Sequence, residues 1–402
     1  MIGSDVINIT LPKPHRGQLE VLKSKARWKV LMCGRRWGKS LICQIISILS
    51  IFKKQDVAYV TPTYKLSKIF FDDILKYIPA ITIQSANKSD LKITLKGGGS
   101  ISFMTGENLD SFRGRKFHKV IIDEAAYIPD LENAWLNAIR PTLTDYRGEA
   151  LFISTPRGKG YFYSLYLKGV NKEDGFESFH YETSSNPFIH PDEIESAKAS
   201  LPKAVFDQEY RAVPNANSNA VITSDIIEAQ TIQTLSTNPV QAIGIDLAKY
   251  SDYTVISSLD QYGTMCGFDR FQKSHEDTIN TILKLPRNVI KVIDATGAGD
   301  VIYEQLIQRG CQNLIPFVFT AQSKPELIQQ MILAVEQGRL KFNQLTADEF
   351  GIYEWQYTRT GHITFGNKSG GNDDAVTALA LANRALSYSA VNSNIMKSFG
   401  FG

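Results

Sequence analysis

Two groups of residues in this sequence have the types and spacing to do chemistry on phosphates. The first is Cys33-Gly-Arg-Arg-Trp-Gly-Lys-Ser40, which fits G-x-x-x-x-G-K-[ST] except that Cys33 stands at the first glycine. Between a strand and a helix, such a loop turns successive backbone N–H groups and the positive helix end toward phosphate oxygens. Lys39 then reaches the β/γ-phosphates of ATP, and the Ser40 hydroxyl ligates Mg²⁺. Gly34 and Gly38 let the backbone come close, while Arg35 and Arg36 add charge that suits either the transferring phosphoryl group or DNA. Further on, Lys119-Val-Ile-Ile-Asp-Glu-Ala-Ala closes an apolar run on two acids. Asp123 fits the acid that supports Mg²⁺, and Glu124 fits the base that orients the attacking water.

The second group is a set of spaced carboxylates. Asp246 ends Gly-Ile-Asp, Asp294 ends Val-Ile-Asp, and Asp373-Asp374 opens the last helix. Three acids at the ends of central elements suit two divalent ions, roughly 4 Å apart, that clamp the attacking and leaving oxygens of a phosphodiester. Hard oxygen ligands favour Mg²⁺ or Mn²⁺. Asp246 is the expected shared ligand, with Asp252 and Asp300 as accessory candidates. Asp373 taken alone reads as a helix cap. The set, in this order, reads as metal ligands, with both Asp373 and Asp374 kept.

Elements must bring these residues together. In the first half, strands at Trp28–Cys33, Val57–Thr61, Val120–Ile122 and Ala150–Ser154 alternate with helices at Lys39–Phe52 and Leu66–Tyr77. The second of these helices shows Ile69, Phe70, Ile74 and Leu75 on one face. Leu91–Leu95 and Ser100–Met104 form a hairpin across the Gly97-Gly-Gly turn. Strand–helix alternation predicts a doubly wound, mainly parallel sheet. Val213-Pro-Asn-Ala-Asn-Ser-Asn-Ala is a linker by composition. After it the pattern restarts, with strands at 242–245, 254–259, 265–271, 289–293 and 314–319 and helices at 300–308 and 325–336. A late hairpin, 352–357 with 362–365, and an Ala-rich helix from Asp374 to Leu386 complete it. The expected division is residues 1–212, a linker 213–240, a second domain 241–390 and a flexible tail 391–402.

Charge divides the same way. The net charge is only +3, but residues 1–160 hold 25 Lys/Arg and 14 Asp/Glu, a net of +11, against −8 for the rest. Such asymmetry points to nucleic acid in at least one half. Arg113, Arg115, Lys116 and Lys119 are the candidate backbone contacts. The four cysteines, Cys33, Cys43, Cys266 and Cys311, form no C-x-x-C pair, which predicts reduced thiols and no zinc module. The first residues lack the pattern of a signal peptide. The apolar stretch Leu41–Phe52 is short of the roughly 20 residues that span a bilayer. These features predict a soluble intracellular protein without membrane contact.

A basic P-loop NTPase followed by an acidic RNase H-like, mixed α/β nuclease resembles the large terminase subunit of tailed double-stranded DNA bacteriophages. The motifs stand in family order over nearly the whole chain. Pro14-His-Arg-Gly-Gln18 is similar to the adenine-recognising segment, with Gln18 the implied base contact. Tyr59-Val-Thr-Pro-Thr-Tyr64 and Phe112-Arg-Gly also match. Ser154-Thr155-Pro156 resembles the coupling motif, which implies that Thr155 senses the γ-phosphate, and Phe206-Asp-Gln-Glu-Tyr resembles the end of the ATPase region. His362 is a candidate for the His that some relatives carry near the last acid.

The resemblance implies an ATPase and metal-dependent DNA endonuclease that packages viral DNA. ATP and Mg²⁺ would serve the first site, and two Mg²⁺ or Mn²⁺ the second. Implied partners are double-stranded DNA, the portal protein and the small terminase subunit. The implied assembly is a homo-oligomeric ring on the portal that is a monomer or weak oligomer in solution. The implied place is the host cell cytoplasm, docked transiently on the procapsid. Two rivals are weaker. A repair-type helicase-nuclease needs a second RecA-like domain, where the RNase H-like pattern begins instead. A DNA-binding scaffold with a non-hydrolysing P-loop has Cys33 as its best support.

Overall fold

Apolar runs buried on both faces make central parallel strands, and the first half of the chain supplies four. Trp28–Cys33 is buried at every residue, and Asp56–Thr61, Lys119–Asp123 and Glu149–Ser154 at every residue but the first. The computed structural model describes residues 8–214, 220–248, 253–357, 363–367 and 372–398. The chain divides into two units, Met1–Lys198 with Val205–Ser218 and Ala199–Ala204 with Asn219–Gly402.

The first unit holds strands β1 (Trp28–Cys33), β2 (Asp56–Thr61), β3 (Ile83–Asn87), β4 (Lys92–Leu95), β5 (Ser100–Thr105), β6 (Lys119–Asp123), β7 (Glu149–Ser154) and β8 (Phe176–Tyr181). They form one mixed sheet in the order β3-β4-β5-β2-β6-β7-β1-β8. Every pairing from β5 to β8 is parallel, and the pairings of β3 with β4 and β4 with β5 are antiparallel. Side chains alternate between faces along each strand. Leu31 and Cys33 therefore join Ile42, Ile48 and Phe70 on one side. Val30 and Met32 join Trp135, Phe152 and Phe162 on the other. Two edge strands, β3 and β8, carry no clear apolar run: β3 exposes four of its five residues, and β8 buries only one of its six. Their pattern is hidden in the sequence for that reason.

The helix Lys39–Phe52 stands where its apolar period places it. The next helix is Tyr64–Leu75, and it buries Ser67, Phe70, Phe71 and Ile74. Ile69, expected on its inner face, is 47% exposed. The register is shifted because Phe71 fills the space against Phe103.

The second unit holds β9 (Ala242–Asp246), β10 (Thr254–Leu259), β11 (Met265–Phe271), β12 (Ile290–Asp294) and β13 (Leu314–Phe317), in the order β11-β10-β9-β12-β13. β9, β12 and β13 run parallel, and β10 and β11 are antiparallel additions at one edge. A hairpin of β14 (Tyr353–Tyr357) and β15 (Ile363–Asn367) stands apart from this sheet.

The helix Asp374–Ser398 covers β9, and it is helical into the stretch 391–402 expected as a tail. Its alanines 375, 378, 380, 382 and 385 are fully buried. The approach is so close that a Cβ on Gly244 would lie 2.1 Å from the Ala378 carbonyl oxygen. Small residues on both sides are thus one device that seats the start of this helix beside the end of β9. No described helix is long and apolar enough to cross a membrane.

Candidate functional sites

Parallel sheets bind ligands outside the C-terminal ends of their strands. In the first unit β7 lies between β6 and β1, so Cys33, Ser154 and Asp123 end side by side. The loop after β1 needs unusual backbone: Arg36 has φ 60° and Gly38 has φ 103°. Cys33 is not one of those positions. It is the last residue of β1, fully buried, and burial pushes its thiol up to about 12, so it acts as core rather than loop. Gly34 is the tight spot: a Cβ there would lie 2.4 Å from both Thr183 Oγ1 and the Tyr210 carbonyl oxygen.

Lys39 is only 8% exposed. Its Nζ donates to the Gly34 carbonyl at 3.3 Å and stands 3.9 Å from Glu124 Oε1. Burial opposes its charge, but Glu124, Cys33, Asp123 and Glu209 outweigh burial and raise its pKa. The first helical bond runs from Ile42 N to Gly38 O. The N–H groups of Gly38, Lys39, Ser40 and Leu41 therefore precede the helical ladder and point out of its positive end.

Asp123 is 1% exposed and accepts bonds from Tyr59 Oη at 2.8 Å and Glu124 N at 2.9 Å. Burial, then the Glu124 charge, lifts its carboxyl to about 7, against the pull of Tyr59 and Lys39. Glu124 is held at φ 49°, a left-handed conformation uncommon outside glycine. Its Oε2 accepts from Ser154 Oγ at 3.2 Å. Thr155 is 2% exposed and stands beside the Tyr127 hydroxyl. A buried lysine, two adjoining acids and a left-handed loop glycine fit a Mg²⁺-nucleotide.

Gln18 sits differently from the expected base contact. It is 1% exposed, its Oε1 accepts from His15 N at 3.0 Å, and its Nε2 donates to Gly38 O at 2.9 Å. In this state it braces the loop. His15 Nε2 adds a contact to Trp37 O at 3.0 Å.

Residues that sequence reasoning missed hold the loop from its other side. Thr183 Oγ1 donates to Arg35 O at 2.7 Å, Asn186 Nδ2 donates to Arg36 O at 2.8 Å, and Trp37 Nε1 donates to Ser185 Oγ at 2.9 Å. Arg35 N donates to Glu209 O at 2.7 Å, and the Arg35 guanidinium pairs with the Glu209 carboxylate. Burial raises the Glu209 pKa, opposed by Arg35 and Lys39. Glu209 lies in the Phe206-Asp-Gln-Glu-Tyr segment, but no local signal ties it, Thr183, Ser185 or Asn186 to the loop, because each lies far along the chain from its partner. Arg36 itself is exposed.

The basic candidates are not equivalent. Lys119 is inside β6, its side chain 19% exposed and 3.0 Å from Glu149 Oε2, which also pairs with Lys29. It is an ion-paired strand residue rather than part of an open basic face. Arg113 and Lys116 are exposed but pair with Asp110 and Asp145. Arg115 is exposed.

In the second unit, Asp246 ends β9 and Asp294 ends the neighbouring β12, with Asp373 and Asp374 at the start of the helix over β9. The structure brings all four together. Desolvation, followed by the charges of Asp294, Asp374 and Asp373, pushes the Asp246 carboxyl well above the usual range. Asp294 is 2% exposed and accepts from Thr296 N at 2.8 Å. Lys324 Nζ stands 3.2 Å from Asp373 Oδ2 and offsets part of the charge. Among the described residues no three His, Cys, Asp or Glu side chains are already drawn around one point as metal ligands.

The donor set nevertheless fits a hard cation. Glu349, absent from the sequence reading, is 6% exposed beside Asp374. Its Oε2 accepts from Ala375 N and Val376 N, and its Oε1 has no partner among the described residues. Burial lifts its carboxyl to about 7. Clustered carboxylates with an unsatisfied buried oxygen gain most from a divalent ion. Asp300 is exposed in the first turn of Ala298–Gln308. Asp252 and His362 lie outside the described residues.

With both geometries described, relatives can be placed beside them. The family model for the N-terminal part of the terminase large subunit, T4likevirus-type, matches residues 30–229. The terminase large subunit of Thermus virus P23-45 is 27% identical over 427 residues, covering 92% of this chain and 87% of the relative. That of Escherichia phage T5 is 30% identical over 207 residues, covering 50% of this chain and 47% of the relative. A solved large terminase from a thermophilic bacteriophage shares the fold, with a TM-score of 0.50, 15% identity and coverage of 92% and 98% of the two chains.

Proposed function

Because this chain belongs to the terminase large subunits, we propose that it is an ATP-driven motor that moves double-stranded DNA into a procapsid and cuts concatemeric DNA. The first unit is then a P-loop ATPase and the second an RNase H-like nuclease. The observation that carries this reading is the meeting of Lys39, which opens the helix after β1, with Asp123 and Glu124 at the end of β6, beside the Gly34–Gly38 loop.

In the ATPase step, the N–H groups from Gly38 to Leu41 bind phosphate oxygens and Lys39 leaves the Gly34 carbonyl for the β/γ-phosphates. Ser40 and Asp123 would hold Mg²⁺, which neutralises charge developing on the phosphates. Glu124 orients the water for attack, kept in place by Ser154. Thr155, the residue after β7, would read the γ-phosphate.

In the nuclease step, Asp246, Asp294, Asp373 and Asp374 would hold two Mg²⁺ or Mn²⁺. Such ions activate a water and stabilise the leaving oxygen. The chain's own part is to fix four carboxylates on β9, β12 and one helix, at the electrostatic cost seen at Asp246. Partners in this reading are DNA, the portal protein and the small terminase subunit, with a ring formed on the portal in the host cytoplasm. The +11 of residues 1–160 suits contact with the phosphate backbone, and such binding weakens as salt rises.

Separation of the two activities tests this reading. Lys39→Ala should abolish ATPase and in vitro packaging while Mn²⁺-dependent DNA cleavage persists. Asp294→Asn should do the reverse. No ATP turnover by the wild-type chain with DNA present would favour the scaffold reading, and cleavage untouched by Asp294→Asn would remove the nuclease assignment.

A further inference from the structure

Strand β14 turns Tyr353 and Trp355 inward, and Tyr353 is 0% exposed. Among the described residues its hydroxyl has no hydrogen-bond partner. Buried tyrosines normally find one, and an unmet buried donor destabilises the fold. Phenylalanine would fill the same space without that cost. A lone buried hydroxyl therefore calls for a partner that arrives from outside the fold.

The surroundings say what that partner is. The charges felt by the phenol are those of Asp373, Asp246 and Glu349, in that order after burial. Two of these are acids of the second site, and the third carries the unpartnered Oε1. A buried donor and a buried acceptor, both unmet among the described residues, thus lie near one group of carboxylates. The acids repel one another and need a cation. The phenol is buried near enough to these acids to feel their charge, and its hydroxyl can offer a proton to an oxygen that such a cation would carry or fix.

We propose that Tyr353 is a binding residue of the second site, donating a hydrogen bond to an oxygen brought to Asp246 and Asp373, a role that rests on the nuclease reading of these acids. The oxygen belongs either to water on a divalent ion or to the scissile phosphodiester. Both are polarised oxygens, and one experiment separates them.

The test is Tyr353→Phe in the full chain, compared with wild type and Asp294→Asn. Thermal melts without metal should place Tyr353→Phe at or above wild type, since only an unpaired hydroxyl is lost. Single-turnover cleavage of plasmid DNA with Mn²⁺ should fall about 10–100-fold, the usual effect of losing a supporting group in a metal site. Calorimetric titration with Mn²⁺ alone then locates the partner. Weaker binding assigns metal-bound water, and unchanged binding with slow cleavage assigns the phosphodiester. Wild-type cleavage and wild-type Mn²⁺ affinity in Tyr353→Phe, with Asp294→Asn inactive, would overturn the Tyr353 role alone. A clear loss of melting temperature would also overturn it, by showing that the hydroxyl serves the fold. If the wild-type chain neither binds Mn²⁺ nor cuts, the nuclease reading falls with it.

Discussion

Asn186 Nδ2 donates to the carbonyl oxygen of Arg36 at 2.8 Å, across 150 positions of sequence. Arg36 is the non-glycine residue of the phosphate loop with positive φ, so its carbonyl is turned out of the usual direction and needs an outside donor. Asn186→Ala should leave that carbonyl unmet at a cost of about 1–3 kcal/mol. The expected result is a KM for ATP raised about tenfold with a smaller change in kcat, read by steady-state ATPase kinetics. An unchanged KM would show that the loop keeps its shape without Asn186.

The Ser154–Glu124 contact makes a graded prediction. Glu124→Gln should retain nucleotide binding and lose hydrolysis by a factor on the order of 10²–10⁴, the range for loss of a general base. Ser154→Ala removes only the group that orients the Glu124 carboxylate at 3.2 Å. It should lower kcat by roughly tenfold and leave nucleotide affinity unchanged, which a binding titration with a non-hydrolysable analogue would check.

At the second site, function and stability should oppose each other. Asp246 carries a carboxyl raised by burial and by three neighbouring acids. A raised acid is penalised once pH exceeds its unfolded value, so stability falls as pH climbs toward the folded value. Asp246→Asn should therefore raise the melting temperature at neutral pH in the absence of metal, while abolishing cleavage. Mn²⁺ should raise the melting temperature of the wild type, by about 2.7 kcal/mol of stability at a hundred times its Kd, and leave Asp246→Asn nearly unmoved.

Asp260 behaves in the opposite sense. It is fully buried at the β10–β11 turn and accepts from Tyr262 N, Thr264 N, Ser236 Oγ and Asn238 Nδ2. Burial alone would raise its pKa, but those four bonds outweigh it and hold the carboxyl low. Its stabilisation is complete above the unfolded value, near 3.9, and is lost as pH falls through the folded value. Asp260→Asn should cost about 2 kcal/mol at pH 7, read by urea unfolding, and the difference from wild type should shrink below about pH 4.

Sequence alone determined the parts of this protein whose signal is local. The Gly34–Gly38 loop, the strand ending in Asp123-Glu124 and the acids at 246, 294, 373 and 374 stand out as candidates because apolar runs end on polar residues within a few positions. Buried strands such as β1 and β6 are legible because their whole environment is written in their own residues.

Tertiary structure decided what depends on distant partners. It placed Thr183, Asn186 and Glu209 on the loop, turned Gln18 toward Gly38, and paired Lys119 with Glu149. It also buried Glu349 and Tyr353 beside the acids, although nothing in Glu349-Phe-Gly-Ile-Tyr353 marks them. The edge strands β3 and β8 were equally silent, since they share a surface with solvent. Periodicity reports how a residue meets its own element. Hydrogen bonds and Coulomb interactions depend on distance in space, and only the folded chain sets that distance.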